Sequence, residues 1–539
     1  MDTPNLKENA LNTRLPGVFS RLVQQIKENK YPLLSALIFG FFSFMFTFTN
    51  KLVIHDDLEH LFSKGYTVSS GRWGLSLLSC VLPDISMPWF HGCITVLLIA
   101  AAICLIVRLL KIRSPLLQVL TAGLIICFPS LTGTFGYMFT SSSYGAAFLL
   151  AVLAAWGLSR GSWKGALGGI LACTLSLSIY PAYISITVTL LVLVLIRKTL
   201  YTDVPVKKIF FEGLYFIGGL ILSLGLYWVA TRLIQTALGI PMNWYAMSAM
   251  EDESILTRVV NCVKTVFYIL LLGYKGLVHE GLVQILHFIF LAVLLFELVF
   301  WCCREKKADR ICMLVFLLAV FPFALNAVLL FTALSSAHSL VLYGFAGIYV
   351  LTALVLDGNL HLTAAKPGLD KLRSLGMDLA ILCLAMVVYS NASTANRAAF
   401  NLHLRYESNY SMGTSILTQL ESLPGFETDT PVAVIGYFPQ VNDYDRMLDV
   451  NHITGVSEHA TRGWDVPTFL RYYCGADCHF LKFNEMGDLF DHPDFHAMPF
   501  FPDNGSIAMV DGMAVVKLDP YSLPDEYLNR ILAEDAGGQ

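Results

Sequence analysis

The chain is built around apolar runs of about twenty residues, the length of helix that crosses the ~30 Å hydrocarbon core of a bilayer. Eleven such runs are readable, at 31–54, 89–110, 115–131, 144–158, 166–179, 183–196, 209–238, 282–302, 311–334, 341–356 and 377–390. Inside lipid every backbone N–H and C=O must be paired within the segment, so each run is expected to be a helix. Only 14% of the 539 residues are charged, against about a quarter in a soluble protein. The expected fold is a polytopic α-helical membrane protein with about 11 transmembrane helices.

Basic residues in short loops set the orientation of such a protein. Here they cluster at 21–30, 108–113, 160–164, 197–208, 304–310 and 366–373. Placing all six on the cytoplasmic side makes residues 1–30 a cytoplasmic segment, with an amphipathic patch of Val18, Phe19, Leu22, Val23 and Ile26. No secretory signal pattern is visible there, so the first span reads as an uncleaved anchor. The same scheme puts residues 55–88 and 394–539 outside, around a membrane domain at 31–393. Residues 261–276 are apolar but interrupted by Lys264 and Lys275. They are expected to lie in the outer interface or re-enter; a twelfth span is the alternative, and would carry 304–310 outside.

Residues 400–539 hold 21 Asp and Glu against 7 Lys and Arg, which offers nothing to a nucleic acid. Short alternating runs at 431–436 and 507–517, the second turning at Asp511-Gly512, predict strands. A helical signal at 415–423 completes a small extracytoplasmic α/β domain. Cys474 and Cys478 stand apart from the ten other cysteines, in a polar segment, and read first as a disulfide, next as free thiols and third as part of a metal site with His479.

Chemistry concentrates just past the first span. His55, Asp56, Asp57, Glu59 and His60 fall within six positions, followed by Gly71-Arg72-Trp73. A charge dragged to the bilayer centre costs roughly 2.5–3.5 kcal/mol, so the cluster belongs at an interface. As a helix, Leu58, Leu61 and Phe62 form one stripe and Asp56, Glu59, His60 and Ser63 the opposite one. The plain reading is interfacial anchoring, with acids solvating a loop and Arg72-Trp73 at the headgroups. The chemical reading makes a carboxylate a general base and Arg72 a phosphate clamp. A divalent metal on His55, Asp56, Asp57 and His60 is possible, although consecutive helical acids point about 100° apart; otherwise no metal or other cofactor is expected. No phosphate-cradling glycine loop is present, and Asp443-Tyr-Asp445 is a short acidic triplet of low specificity.

Asp56-Asp57 after the first span, then Gly71-Arg72-Trp73, then Ser178-Ile-Tyr180-Pro-Ala-Tyr183, together resemble the GtrII-like glucosyltransferase family over roughly residues 30–395. Pro181 stands where that family usually has Gln, and His338 where it often has Arg. The resemblance implies a GT-C-like membrane enzyme of the bacterial inner membrane. It would move a hexose, glucose first, from a polyprenyl-phosphate-linked donor to a surface glycan such as O-antigen. It further implies Asp57 or Asp56 as base, Arg72 on the donor phosphate, and Glu59 or His60 orienting the acceptor. Trp73 would stack on a sugar or anchor, and Tyr180 and Tyr183 would line the site or serve as interfacial anchors. The loop at 241–254, with Trp244, Tyr245, Glu251, Asp252 and Glu253, reads as a solvated linker or an acceptor contact. The rival classes are a transporter or flippase of lipid-linked sugars, which should carry mid-span charges and internal repeats, and a non-catalytic surface-polysaccharide assembly protein. The span interiors hold little charge beyond Glu297.

Overall fold

A computed structural model describes residues 20–519 except 22, 51, 53, 66, 243–252, 274–280, 306, 335–336, 365, 440–441, 451 and 457–465. After a helical stretch at 23–28, the first long helix, α1 (Lys30–Thr49), is followed by two short ones, α2 (His55–Glu59) and α3 (Trp73–Leu78). Then come α4 (Pro88–Leu110), α5 (Pro115–Ile126), α6 (Pro129–Gly136), α7 (Met138–Leu158), α8 (Trp163–Ile179) and α9 (Ile184–Tyr201). The remaining long helices are α10 (Val206–Leu238), α11 (Ile255–Leu272), α12 (Leu282–Arg304), α13 (Ala308–Leu325), α14 (Gly347–Asn359) and α15 (Pro367–Glu421).

The bundle has two ends. The lower end gathers the basic clusters: Arg108 meets Gln25 and Glu28, Lys198 pairs with Glu212, and Arg304 reaches the Thr363 carbonyl. Arg310 donates to the carbonyls of Thr199, at 2.7 Å, and Val204, at 3.0 Å. Glu297 is fully buried here, where Arg373 Nε sits 2.9 Å from it and Asn359 Nδ2 donates to it at 2.9 Å. The acid near the inner end of its span that looked isolated in sequence is thus part of a buried ion-pair network. The upper end carries residues 55–88 and the C-terminal part of the chain.

Eleven helical segments among the described residues are long and apolar enough to cross a membrane, with Pro115–Gly136 (α5 and α6) and Ser339–Asn359 (a 3-10 stretch and α14) each counted as one. That set includes α11 and omits the 17-residue α8, and the contacts reverse both assignments. The run α7–α8–α9 passes between the ends as a tight zigzag, and Gly157 and Gly169 let α7 and α8 approach almost backbone to backbone. Helix α11 instead has both ends at the upper level. Glu253, just before it, accepts from Leu334 N at 3.2 Å, and Cys262 and Asn326 exchange bonds beside the upper end of α13. Its last turn meets Gln284 in the first turn of α12. It is amphipathic, burying Cys262, Val266 and Ile269 while Leu256, Val260 and Phe267 face outward. Residues 255–272 therefore lie along the upper level, in keeping with Lys264, while 274–276 with Lys275 lie outside the described residues; among the described residues the crossing helices still number eleven when α8 replaces α11.

Three expectations are corrected. The connection between the runs at 115–131 and 144–158, expected from the sequence to be an exposed outer hairpin tip at 133–143, is helical and almost wholly buried, because Pro129 restarts the helix as α6 after a break at Cys127 and Phe128. Gly133 and Gly136 have no room for a Cβ against the Thr454 and Gly455 carbonyls. The last span does not end near residue 390, nor does a separate unit begin at 394. Helix α15 runs 55 residues without interruption, about 80 Å at 1.5 Å per residue. It projects from the bundle and becomes the core of the C-terminal part.

On its upper half rest β1 (Pro431–Ile435), α16 (Tyr444–Leu448), α17 (Val466–Tyr473), β2 (His479–Phe480), α18 (Pro493–Ala497), β3 (Ile507–Val510) and β4 (Met513–Lys517). The sheet order is β2-β1-β4-β3, with β3 and β4 antiparallel and the other pairs parallel. Asp511 and Gly512 turn the β3–β4 hairpin with φ of 46° and 77°, as expected of a two-residue Asp-Gly loop. Lys517 is buried with its ammonium on the Phe495 and Met498 carbonyls, and burial lowers its pKa to about 8. Cys474 and Cys478 are unbonded thiols, not the disulfide read first, and Cys474 Sγ packs on Gly413 of α15. Asp443 accepts from Arg446 N and pairs with the Arg446 side chain, the work of a helix cap.

Candidate active site

Helix α2 is shorter than the sequence stripe implied, and its faces divide differently. Leu58 joins Ile416, Leu420, Phe469 and Leu470 in the core of the C-terminal part, while Phe62 sits on Tyr472 with ring centroids 5.4 Å apart. Anchoring Leu58 there rotates the neighbouring Asp57 into the protein, only 3% exposed. Asp56 is half-buried and Glu59 exposed. Adjacent acids thus part company: one faces inward and the others outward. The side chain of His55 lies outside the described residues.

Two donors converge on Asp57 and both reach Oδ1: Ser86 Oγ at 2.7 Å and Phe139 N at 3.2 Å. Burial raises its pKa to about 6, working against those two bonds and assisted weakly by the Asp56 charge. A carboxylate with a pKa near the working pH is suited to taking a proton. The loop that delivers Ser86 is itself fixed. Lys64 is buried on Asp84 at 3.1 Å and on the Leu82 carbonyl at 2.9 Å, and buried His91 bridges Ser142 and the Ile85 carbonyl.

Arg72 is half-buried, with Nε donating to Ser70 Oγ at 2.9 Å and Nη1 to Tyr144 Oη at 3.0 Å. Gly71, at φ 75°, would push a Cβ to 2.9 Å from the Tyr227 hydroxyl. That hydroxyl donates to the Gly71 carbonyl at 3.1 Å, and Trp73 Nε1 donates to Thr231 on the same helix, α10. Trp73 is therefore pinned to α10 along its indole edge. Gly74 lies against Ser178 with no space for a larger side chain, so the Gly-Arg-Trp turn and the Ser178–Tyr183 motif touch one another.

The Tyr180 ring stacks on Tyr144 at 4.3 Å and crosses Tyr183 at 5.0 Å. Both tyrosines are buried, at 8% and 1% exposure, which overturns the reading of them as interfacial anchors. Tyr180 backs the aromatic wall on which Arg72 leans; Tyr183 lies deeper, against Phe148 and Tyr343. His60 belongs to the same group of side chains. Its ring is 5.2 Å from that of Phe139, and it lies within electrostatic reach of Asp56, Glu59 and Arg72. Burial lowers its pKa, favouring the neutral ring. Gly65 passes so close that a Cβ would sit 2.9 Å from it.

Among the described residues, no three His, Cys, Asp or Glu side chains gather at a spacing that would hold a metal. Of the loop at 241–254, Glu253 is described and accepts from Asn261 Nδ2 and Leu334 N; Trp244, Tyr245, Glu251 and Asp252 lie outside the described residues. Sequence reasoning did not find Ser86, Phe139, Tyr144, Tyr227 or Tyr473. Tyr473, from α17, faces Asp57 closely enough to feel its charge.

Helices long and apolar enough to cross a bilayer, with a buried carboxylate and a braced arginine at one end, define a multi-pass membrane protein with a polar site beyond its helix ends. The chain belongs to the glucosyl transferase GtrII family, whose pattern it matches over residues 45–351. That stretch includes Asp57, Arg72 and Tyr180. No curated protein matches the chain.

Proposed function

We propose that the chain transfers a hexose, glucose in the first instance, from a polyprenyl-phosphate-linked donor to a hydroxyl of a bacterial surface glycan such as O-antigen. The observation that carries this reading is Asp57: buried, held at Oδ1 by two donors, and raised to a pKa of about 6. Oδ2 receives neither bond and takes the proton from the acceptor hydroxyl. The hydroxyl oxygen attacks the anomeric carbon, the bond from that carbon to the phosphate oxygen breaks, and polyprenyl phosphate leaves. Arg72 meets the charge that develops on the phosphate, which is where a preorganised donor acts most strongly. Tyr144 and Ser70 hold its guanidinium in place for that role. His60, with Glu59 and the half-buried Asp56 nearby, positions the acceptor, and Trp73 borders the sugar. Direct attack on the anomeric carbon inverts its configuration, as expected of a GT-C enzyme.

A polyprenyl tail never leaves the bilayer, since each buried CH₂ adds about 0.8 kcal/mol of membrane affinity. An enzyme using it needs its site at headgroup depth, and Asp57 and Arg72 sit just past the upper ends of the crossing helices. Gathering the basic clusters at the lower end supports an upper end outside the bacterial inner membrane and a cytoplasmic N-terminus. Thiol labelling of intact cells checks this. A cysteine placed in the loop at 304–310 should stay unlabelled by an impermeant reagent and one at Asp84 should react; the opposite pattern defeats the orientation.

The decisive assay uses purified protein in liposomes with an oligosaccharide acceptor. Transfer is expected from polyprenyl-phosphoglucose and not from a soluble nucleotide sugar. Equal transfer from the nucleotide sugar in lipid lacking polyprenol would remove the donor assignment.

A further inference from the structure

A cavity of about 430 Å³ opens at the lower end, the full length of the bundle away from Asp57 and Arg72. Lys111, Arg113 and Arg197 line it with His361, against a single carboxylate, Asp357. That carboxylate is already committed. Its Oδ1 accepts from Ser114 N at 2.7 Å and its Oδ2 from Arg113 N at 3.0 Å, fixing the turn between α4 and α5. Lys111 ends α4 in the left-handed conformation, φ 56°, and that twist carries Lys111 and Arg113 to the cavity wall. Arg197 comes from α9. Its Nε is buried and makes no hydrogen bond among the described residues. The acid whose charge acts on it, Glu212, is held by Lys198.

Charges that only orient a membrane protein do their work dispersed in solvated loops. They need neither a shared cavity nor a buried N–H without an acceptor, which is costly to leave unpaired. Arginine pairs contribute planar donor forks that match phosphate oxygens, and basic pockets between membrane helices suit lipid headgroups. Leu360, 44% exposed at the rim, extends the polar wall into apolar surface.

We propose that this cavity binds a phosphate ester, either the headgroup of an anionic phospholipid of the adjoining leaflet or a soluble phosphate compound. The site stands apart from the transferase centre, so its test reads binding and not turnover. Purified full-length protein is placed in nanodiscs of phosphatidylcholine with a minority of phosphatidylglycerol, and retained lipid is measured by native mass spectrometry. The wild type should retain phosphatidylglycerol preferentially. The double variant Arg113→Gln/Arg197→Gln should lose about tenfold of that preference, the scale of one charge-assisted bond, and Arg113→Lys/Arg197→Lys should keep most of it. Should the glutamine pair fold poorly, Lys111→Gln, on an exposed turn, should weaken retention about threefold through loss of one surface charge. In a second arm, delipidated protein is heated with inorganic pyrophosphate. A stabilisation that the glutamine variant lacks assigns the site to a soluble phosphate. No lipid preference together with no pyrophosphate effect in the wild type overturns the proposal, as does an undiminished effect in folded glutamine variants.

Discussion

Asp57→Asn is expected to lower kcat/KM for hexose transfer by about 10²–10⁴-fold, the range a general base contributes. The variant should fold, because an asparagine carbonyl still accepts from Ser86 Oγ and Phe139 N, the two bonds that hold Oδ1. Asp56→Asn should cost far less. Asp56 is half-buried, and its charge pushes the Asp57 pKa upward, so removing it should shift the acid limb of the pH profile to lower pH. In the wild type that limb should fall near pH 6, with kcat/KM dropping tenfold per unit below it, since only the ionised carboxylate accepts a proton. The stability effect has the opposite sense. The folded pKa lies above the ordinary aspartate value of 3.8, so the native state binds more protons between about pH 4 and 6. Stability should therefore decline as pH rises through that window and level off above it. Asp57→Asn should remove this slope. Full turnover in Asp57→Asn, with an unchanged pH profile, would end the assignment of the base.

Arg72→Gln is expected to lower kcat/KM by about 10²–10³-fold, the loss seen when one preorganised donor to a developing charge is removed. The shortened side chain cannot keep both the Ser70 and the Tyr144 contacts. Arg72→Lys should recover part of the loss, since an ammonium supplies charge but not a planar fork. A second readout separates this from structural damage. The Arg72 charge lowers the His60 pKa, so the His60 ring signal in Arg72→Gln should titrate at higher pH, while Arg72→Lys should stay near the wild type. Normal turnover and normal affinity for the polyprenyl-phosphate donor in Arg72→Gln would exclude the phosphate role.

Much of the candidate site was legible because its parts are close in sequence. The acids, Gly71-Arg72-Trp73 and Ser178 to Tyr183 are each local patterns, and Gly71 and Gly74 explain physically why two of them meet. Ser86, Phe139 and Tyr144 left no such trace. Ser86 is a serine in a loop, and Phe139 acts through its backbone, which any residue would supply. Tyr144 resembles every other aromatic at the end of a span.

Apolar runs determined the crossing helices, since lipid leaves a backbone no other way to satisfy its polar groups. Lys264 already set apart an apolar stretch whose described part, 255–272, stays at the upper level. Periodicity was silent on which acid turns inward. That was decided when Leu58 found its place against α15 and α17, contacts more than 350 residues distant in the chain. It was equally silent on the reach of α15, because apolar patterning stops where lipid stops, whereas a helix continues as long as other protein packs against it.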